Sequence, residues 1–128
     1  MIEQPRLHDG SLEGFYVKAD KSATLFVRDV NGVKYELELG SVEYLLANEF
    51  REGNIILDLT IERGKDCEVS LLRALFDSKY LETHPNFLVA LQQRIEAEGL
   101  TLVSIDPSYG CSFLALCKTL IWRMGEPV

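Results

Sequence analysis

The chain has 128 residues, a size typical of one domain, and its 47% apolar and 26% charged residues are typical of a globular protein rather than a disordered one. Its 20 acidic and 13 basic residues give a formal net charge of −7, which argues against nucleic-acid binding, because phosphate contacts need clustered Lys and Arg. The apolar run at residues 113–117 is far too short to span a membrane, and residues 1–6 lack the basic and apolar segments of a signal peptide.

Three cysteines, Cys67, Cys111 and Cys117, are an odd number and show no CxxC spacing. This pattern favours reduced thiols over a disulfide framework. We therefore expect a cytoplasmic protein with one domain over residues 1–128. We expect neither a cofactor nor a metal site, because the acidic residues and histidines do not recur at the spacing of metal ligands.

Two strand-like runs flank Asn31-Gly32, the pair typical of a two-residue type I′ turn, and predict a β-hairpin over residues 24–39. A two-residue loop fixes which residues face each other. It would pair Phe26 with Leu37 and place both, together with Arg28, on the core face of the hairpin. A shift of one residue would exchange the two faces.

Further strands are expected on either side of the hairpin. The aromatic and β-branched run at residues 12–18 and the alternating apolar run at residues 54–62 have the periodicity of strands. Residues 41–52 leave two alternatives open: their apolar spacing fits a helix that Ser41 would cap, and it also fits a bent strand. A short apolar run predicts another strand at residues 100–105.

The second half of the chain has helical spacing. Residues 66–80 predict one helix, with Asp66 as its N-cap. A second helix is expected between Pro85, which suits the first helical position, and Gly99, which suits the position after the last turn. Phe87, Leu88, Leu91 and Ile95 would form its buried face, and Arg94 would pair with Glu98 on its exposed face.

The final segment, residues 112–124, favours a helix by the spacing of its apolar residues, and a strand that pairs back onto residues 100–105 is the alternative. Strands in the first half followed by helices in the second indicate an α+β domain. We therefore expect a two-layer fold, in which an antiparallel sheet of about four to five strands is packed against two to three helices.

The connection at residues 107–112 is the most distinctive local feature, because it joins an expected strand to an expected helix. Backbone N–H groups at a helix N-terminus bind anions and lower the pKa of a nearby thiol. Cys111 is therefore the candidate catalytic nucleophile, although a buried structural cysteine in an ordinary turn is the simpler interpretation. The candidate ligand-binding residues of the same connection are Ser108, Tyr109, Gly110 and Ser112.

Charged residues of the hairpin are further candidates. Arg28, on the expected core face, is a candidate for binding an anionic ligand, although stacking on Tyr35 explains it more simply. Glu36 and Glu38, on the expected solvent face, belong to a candidate surface for a basic protein partner. A solvated acidic face that serves only solubility is the alternative interpretation.

These features favour a non-enzymatic protein-interaction or binding module over an enzyme. The expected partner is a protein, and a basic protein fits the acidic residues best. We expect neither nucleic acid nor a membrane as a partner, and a second copy of the chain is a further candidate. The alternative function is a small thiol-dependent enzyme, or an anion-binding or ligand-binding protein, centred on residues 109–112.

Overall fold

Antiparallel strands dominate the computed structural model, which describes residues 2–126. Within these residues, eight strands form one sheet in the order β4-β7-β6-β5-β1-β2-β3-β8. Three short helices and a 3-10 turn (Gly64–Asp66) lie between β5 and β6 in this part of the chain. The strands are β1 (Ser11–Val17), β2 (Ala23–Arg28), β3 (Lys34–Gly40), β4 (Tyr44–Asn48), β5 (Asn54–Arg63), β6 (Thr101–Tyr109), β7 (Ser112–Cys117) and β8 (Thr119–Met124). The helices are α1 (Val69–Ala74), α2 (Ser78–Thr83) and α3 (Phe87–Glu98).

The sheet closes into a ring because β3 and β4 form one bent segment, and β7 and β8 form another. β3 pairs with β8, and β4 pairs with β7. At the bends, the Lys118 N–H donates to the Gly40 carbonyl at 3.0 Å, and the Glu43 N–H donates to the Leu116 carbonyl at 2.8 Å. The expected two-layer fold with four to five strands is therefore wrong, because the helices cover only part of a larger, closed sheet.

Two buried clusters follow from the alternation of side chains across the closed sheet. The larger cluster fills the inside of the ring, and the smaller one lies between the outer face of the sheet and the helices. Large side chains of the inner cluster include Leu25, Val27, Leu37, Leu39, Phe113 and Trp122. Those of the outer cluster include Leu72, Leu91, Ile95, Leu102, Leu114 and Leu116.

The helix that we favoured for residues 112–124 is absent, since this segment forms β7 and β8. Phe113 belongs to the inner cluster and its neighbour Leu114 to the outer one, so both faces of β7 are buried. A strand buried on both faces loses its polar alternation, and its apolar spacing no longer distinguishes it from a helix. Of the two alternatives for residues 41–52, the strand is the correct one, as β4.

The hairpin forms at Asn31-Gly32, but its loop is one residue longer than expected. The Asp29 N–H donates to the Val33 carbonyl at 2.9 Å, and Gly32 has a φ of +85°. The Asp29 side chain accepts hydrogen bonds from the N–H groups of Asn31 and Val33, both at 2.9 Å. This carboxylate stabilises a three-residue loop, in which a type I turn is followed by a left-handed glycine.

The longer loop shifts the register by one residue, and the expected pairing of Phe26 with Leu37 is wrong. Phe26 pairs with Glu36, and Leu25 pairs with Leu37. Leu25 and Leu37 are fully buried, whereas Phe26 is exposed on the outer face. The expected core face of β2, which included Arg28, is therefore its outer face.

The helical region agrees with the expectation in part. The single helix over residues 66–80 is wrong, because the chain turns between α1 and α2, and Asp77 instead of Asp66 caps a helix by accepting from the Lys79 N–H at 3.0 Å. The burial of Leu88, Leu91 and Ile95 on α3, its stop at Gly99 with a φ of +65°, and the Arg94–Glu98 ion pair are confirmed. Phe87 is only half-buried.

Candidate functional site

The connection at residues 107–112 joins two strands. β6 continues to Tyr109, and β7 begins at Ser112, so the connection proper is Gly110-Cys111. The helix N-terminus that made this segment a candidate anion site is therefore missing. The Cys111 N–H is already satisfied, since it donates to Oδ1 of Asn54 at 3.0 Å.

The Cys111 thiol lies in a poor environment for a nucleophile. Its side chain is buried, its Sγ donates to the Ser112 carbonyl at 3.3 Å, and burial raises the pKa of the thiol. The candidate bases lie elsewhere: Nδ1 of His8 is 2.7 Å from the Leu57 carbonyl, and the ring of His84 stacks on Tyr80. The geometry therefore does not support a mechanism in which the Cys111 thiolate acts as a nucleophile.

Asn54 is the residue at this connection that the sequence argument missed. Its side chain is buried, its Nδ2 donates to the carbonyls of Leu12 at 3.3 Å and Arg51 at 2.6 Å, and its Oδ1 accepts from the N–H groups of Arg51 and Cys111. Asn54 therefore ties β1, the loop before β5 and the β6–β7 connection together. The sequence offered one signal: Asn54 lies two positions before Ile56 and therefore on the same face of the strand. An amide side chain on a buried face needs hydrogen-bond partners in fixed positions.

The other candidate residues of the connection are dispersed. Ser108 and Tyr109 are exposed, and the Arg51 guanidinium carbon lies 5.9 Å from the centre of the Tyr109 ring. Gly110 has a φ of +84° and lies against Asn54. Ser112 faces a different surface, the cleft described below. The structure thus does not gather these residues into one anion site.

The hairpin candidates lie on the outer face of the sheet, with neighbours of both charges. Nη2 of Arg28 is 2.9 Å from Oε2 of Glu13. Oε2 of Glu38 is 3.2 Å from Nη2 of Arg123. Glu36 lines a groove of about 480 Å³, which Lys34 also lines. Basic side chains therefore offset much of the negative charge on this face.

A cleft with unbalanced charge lies on another part of the outer face of the sheet, and we call it the acidic cleft. It has a volume of about 520 Å³ and lies between α1 and the outer face of β4, β7, β6 and β5. Its charged lining is entirely acidic, since no lysine or arginine among residues 2–126 contributes to it. The acidic residues are Asp58, Glu62, Glu68 and Asp106.

Two of these carboxylates face each other across the strands. Asp58 of β5 and Asp106 of β6 are cross-strand partners, and both are exposed. The Cβ atoms of such cross-strand partners lie about 5 Å apart, and like charges at these positions destabilise the sheet. Neither residue forms an ion pair within the described part of the chain. A bound cation would remove this repulsion.

Uncharged groups complete the acidic cleft. Ser104 is only 8% exposed as a residue and lines the cleft, and its hydroxyl is not one of the fully buried side-chain atoms that lack a partner among residues 2–126. A hydroxyl that is open to the cleft can hydrogen-bond a ligand group directly. The remaining polar lining residues are Asn48, Thr60 and Ser112, and the apolar ones are Leu46, Leu71, Ala74, Ile105 and Leu114.

Comparisons of the chain with protein-family models, with characterised proteins and with solved structures find no match. Within residues 2–126, no helix is long and apolar enough to cross a membrane. The same residues contain no group of three or more His, Cys, Asp or Glu side chains placed to hold a metal ion. The three cysteines are free.

Proposed function

We propose that this chain is a non-enzymatic binding module that accepts a basic segment of a protein partner in the acidic cleft. The observation that carries the proposal is the charge of the cleft: four carboxylates line it, and no basic side chain of the described residues balances them. Carboxylates held in a concave site attract cationic groups and speed their association.

The other lining residues fit a lysine or arginine side chain. Leu46, Leu71 and Leu114 offer apolar surface to the methylene stem of such a side chain. The Ser104 hydroxyl can accept a hydrogen bond from an ammonium or guanidinium group, both of which have only donors. The cleft thus matches the apolar and the charged parts of a basic side chain.

The acidic cleft supports the proposal better than the surface of Glu36 and Glu38. Glu38 already pairs with Arg123, and the same face of the sheet carries the ion pair between Arg28 and Glu13. Carboxylates with exposed local partners contribute little further attraction. A cytoplasmic setting is part of the proposal and is supported by three free cysteines, which suit a reducing compartment.

The experiment is a titration with octalysine, followed by NMR and calorimetry at low salt. We expect shifts at the amides of Thr60, Ser104 and Asp106. The double variant Asp58→Asn plus Asp106→Asn should weaken binding by about tenfold. The matched variant Glu36→Gln plus Glu38→Gln removes the same charge from β3, outside the cleft, and should weaken binding by less than about twofold.

Each alternative outcome is informative. Equal weakening by both double variants would mean that octalysine responds only to net charge, and the cleft would lose its role. If only the Glu36 and Glu38 variant weakened octalysine binding, the partner surface would instead lie at these two residues on β3. Absence of any binding to wild-type protein at low salt would refute the function.

A further inference from the structure

An apolar patch lies beside the acidic cleft, on β5 and β6, the two strands that carry Asp58 and Asp106. Its members are Ile55 and Leu57 of β5 and Tyr109 of β6, which are 42%, 41% and 53% exposed. Ile55 and Tyr109 are cross-strand partners, so their side chains share the outer face. Exposed large apolar side chains that cluster in this way mark interaction sites more often than scattered ones do.

Irregular pairing places the patch and the carboxylates on one face. The register of β5 against β6 shifts between Ile55 and Ile56 and again between Ile56 and Asp58. Ile56 is fully buried, and the two residues that follow it, Leu57 and Asp58, are both exposed. A regular strand would send one of these two inward. The bulge therefore brings an apolar and an acidic side chain to the same surface.

The spacing between the two features is fixed by the strands. Ile55 precedes Asp58 by three positions on β5, and Tyr109 follows Asp106 by three positions on β6. At about 3.3 Å per residue, the cross-strand apolar pair lies about 10 Å from the cross-strand carboxylate pair. A polyproline II segment repeats its side-chain direction every three residues over about 9 Å. The two spacings match.

We propose that the partner of the acidic cleft is an extended segment in which a lysine or arginine is followed or preceded, three residues away, by a large apolar residue. The proposal rests on the proposed function and adds the second contact. The basic side chain lies between Asp58 and Asp106 and reaches the hydroxyl of Ser104, a cleft-lining residue that is 8% exposed. The apolar residue packs on Ile55 and Tyr109. The contact with Asp58 and Asp106 is electrostatic, and the contact with Ile55 and Tyr109 is hydrophobic. Substitutions at one pair therefore test one contact without removing the other.

The test uses fluorescently labelled peptides and anisotropy. The probe Lys-Pro-Pro-Phe has the required spacing, and Phe-Pro-Pro-Lys has the reverse direction. The comparison peptides are Lys-Pro-Pro-Ser, which lacks the apolar residue, and Lys-Phe-Pro-Pro, which has it at the wrong distance. We expect one of the two probes to bind about fivefold to tenfold more tightly than both comparison peptides.

Two variants assign the gain to the patch. Ile55→Thr plus Tyr109→Thr should remove the advantage of the better probe and leave Lys-Pro-Pro-Ser unaffected. The control Val89→Thr changes a side chain that is exposed on α3 and should change neither peptide. Urea unfolding of each variant verifies that it is folded.

The results separate this inference from the function on which it rests. Equal binding of all four peptides, lost in the Asp58→Asn plus Asp106→Asn variant, would overturn the two-part segment and leave the acidic cleft as a site for basic groups. The two-part segment would also be overturned if the better probe still bound more tightly than Lys-Pro-Pro-Ser to the Ile55→Thr plus Tyr109→Thr variant. If neither these peptides nor octalysine binds, both proposals fail.

Discussion

Asp58 and Asp106 face each other on adjacent antiparallel strands, within a cleft that no basic side chain of residues 2–126 lines. Directly opposed like charges are unfavourable in a sheet, because the Cβ atoms that carry them lie only about 5 Å apart. The arrangement is understandable as a binding feature, since a cationic ligand would convert the repulsion into attraction. The cost to the free protein can be measured.

The variant Asp106→Asn should stabilise the free protein by roughly 0.5–1 kcal/mol, because it removes the repulsion and keeps the shape of the side chain. Urea unfolding at low salt measures the change, and 1 M NaCl should reduce it by screening. The control Glu36→Gln also removes one negative charge, but Glu36 lies opposite Arg123, so no gain is expected. Equal gains in both variants would attribute the effect to net charge instead of the opposed pair.

Asn54→Ala should destabilise the protein by roughly 2–4 kcal/mol, because it leaves buried N–H and carbonyl groups of three segments without their partner. Asn86→Ala is the matched control. Asn86 precedes α3, is exposed and makes no capping hydrogen bond with its side chain, so its loss should cost less than about 0.5 kcal/mol. Similar costs at the two positions would contradict the central role of Asn54.

Gly110→Ala and Gly32→Ala form a pair that separates backbone conformation from crowding. Both glycines have left-handed φ values, +84° and +85°. A Cβ on Gly32 would meet nothing within 4 Å, whereas one on Gly110 would collide with Asn54. We expect Gly32→Ala to cost about 1 kcal/mol, the strain of the backbone alone, and Gly110→Ala to cost at least about 1 kcal/mol more. Denaturant midpoints of the two variants provide the comparison.

Cys111 should react slowly with iodoacetamide at pH 6.5, at a rate no greater than those of Cys67 and Cys117. All three thiols are buried, and burial raises the pKa of each. Mass spectrometry of the native protein should show little labelling, and the same reagent should label all three in guanidinium chloride. Selective, fast labelling of native Cys111 would instead revive its catalytic candidacy.

Stability should fall as the pH rises from about 9 to 11, in part because of Cys117. Burial raises the pKa of this thiol from 9.0 to about 11. Over this range the folded state keeps the proton that the unfolded state loses, so the unfolded state is stabilised relative to the folded one, by roughly 2–3 kcal/mol. Cys117→Ala should flatten the pH dependence of the urea midpoint over this range, since the two proteins differ only at this side chain. Parallel curves would exclude the thiol as a cause.

Local signals sufficed where one short segment determines its own structure. The stop of α3 at Gly99 and its buried face of Leu88, Leu91 and Ile95 could be read from the sequence, because capping and a 3.6-residue period depend on neighbours in the chain. The position of the hairpin loop was also evident. Its register was not, because the Asp29 carboxylate favours a loop one residue longer.

The spacing of apolar residues did not identify the secondary structure of an element that is buried on both faces. β7 carries Phe113 toward the inner cluster and Leu114 toward the helices, so its sequence is a continuous apolar run without a diagnostic period. The error spread to the candidate site. With a strand beginning at Ser112 in place of a helix, the argument for a reactive Cys111 loses its physical basis.

The sequence by itself determined the length, the acidic net charge, the place of the hairpin loop and the stop of α3, since these depend on composition and on residues close in the chain. Only the tertiary structure decided that the sheet closes and which carboxylates come together. Asp58 and Asp106 are 48 positions apart in the numbering, and a bulge in β5 sets the face on which Asp58 lies. Such a juxtaposition follows from strand pairing, which a single sequence does not encode locally.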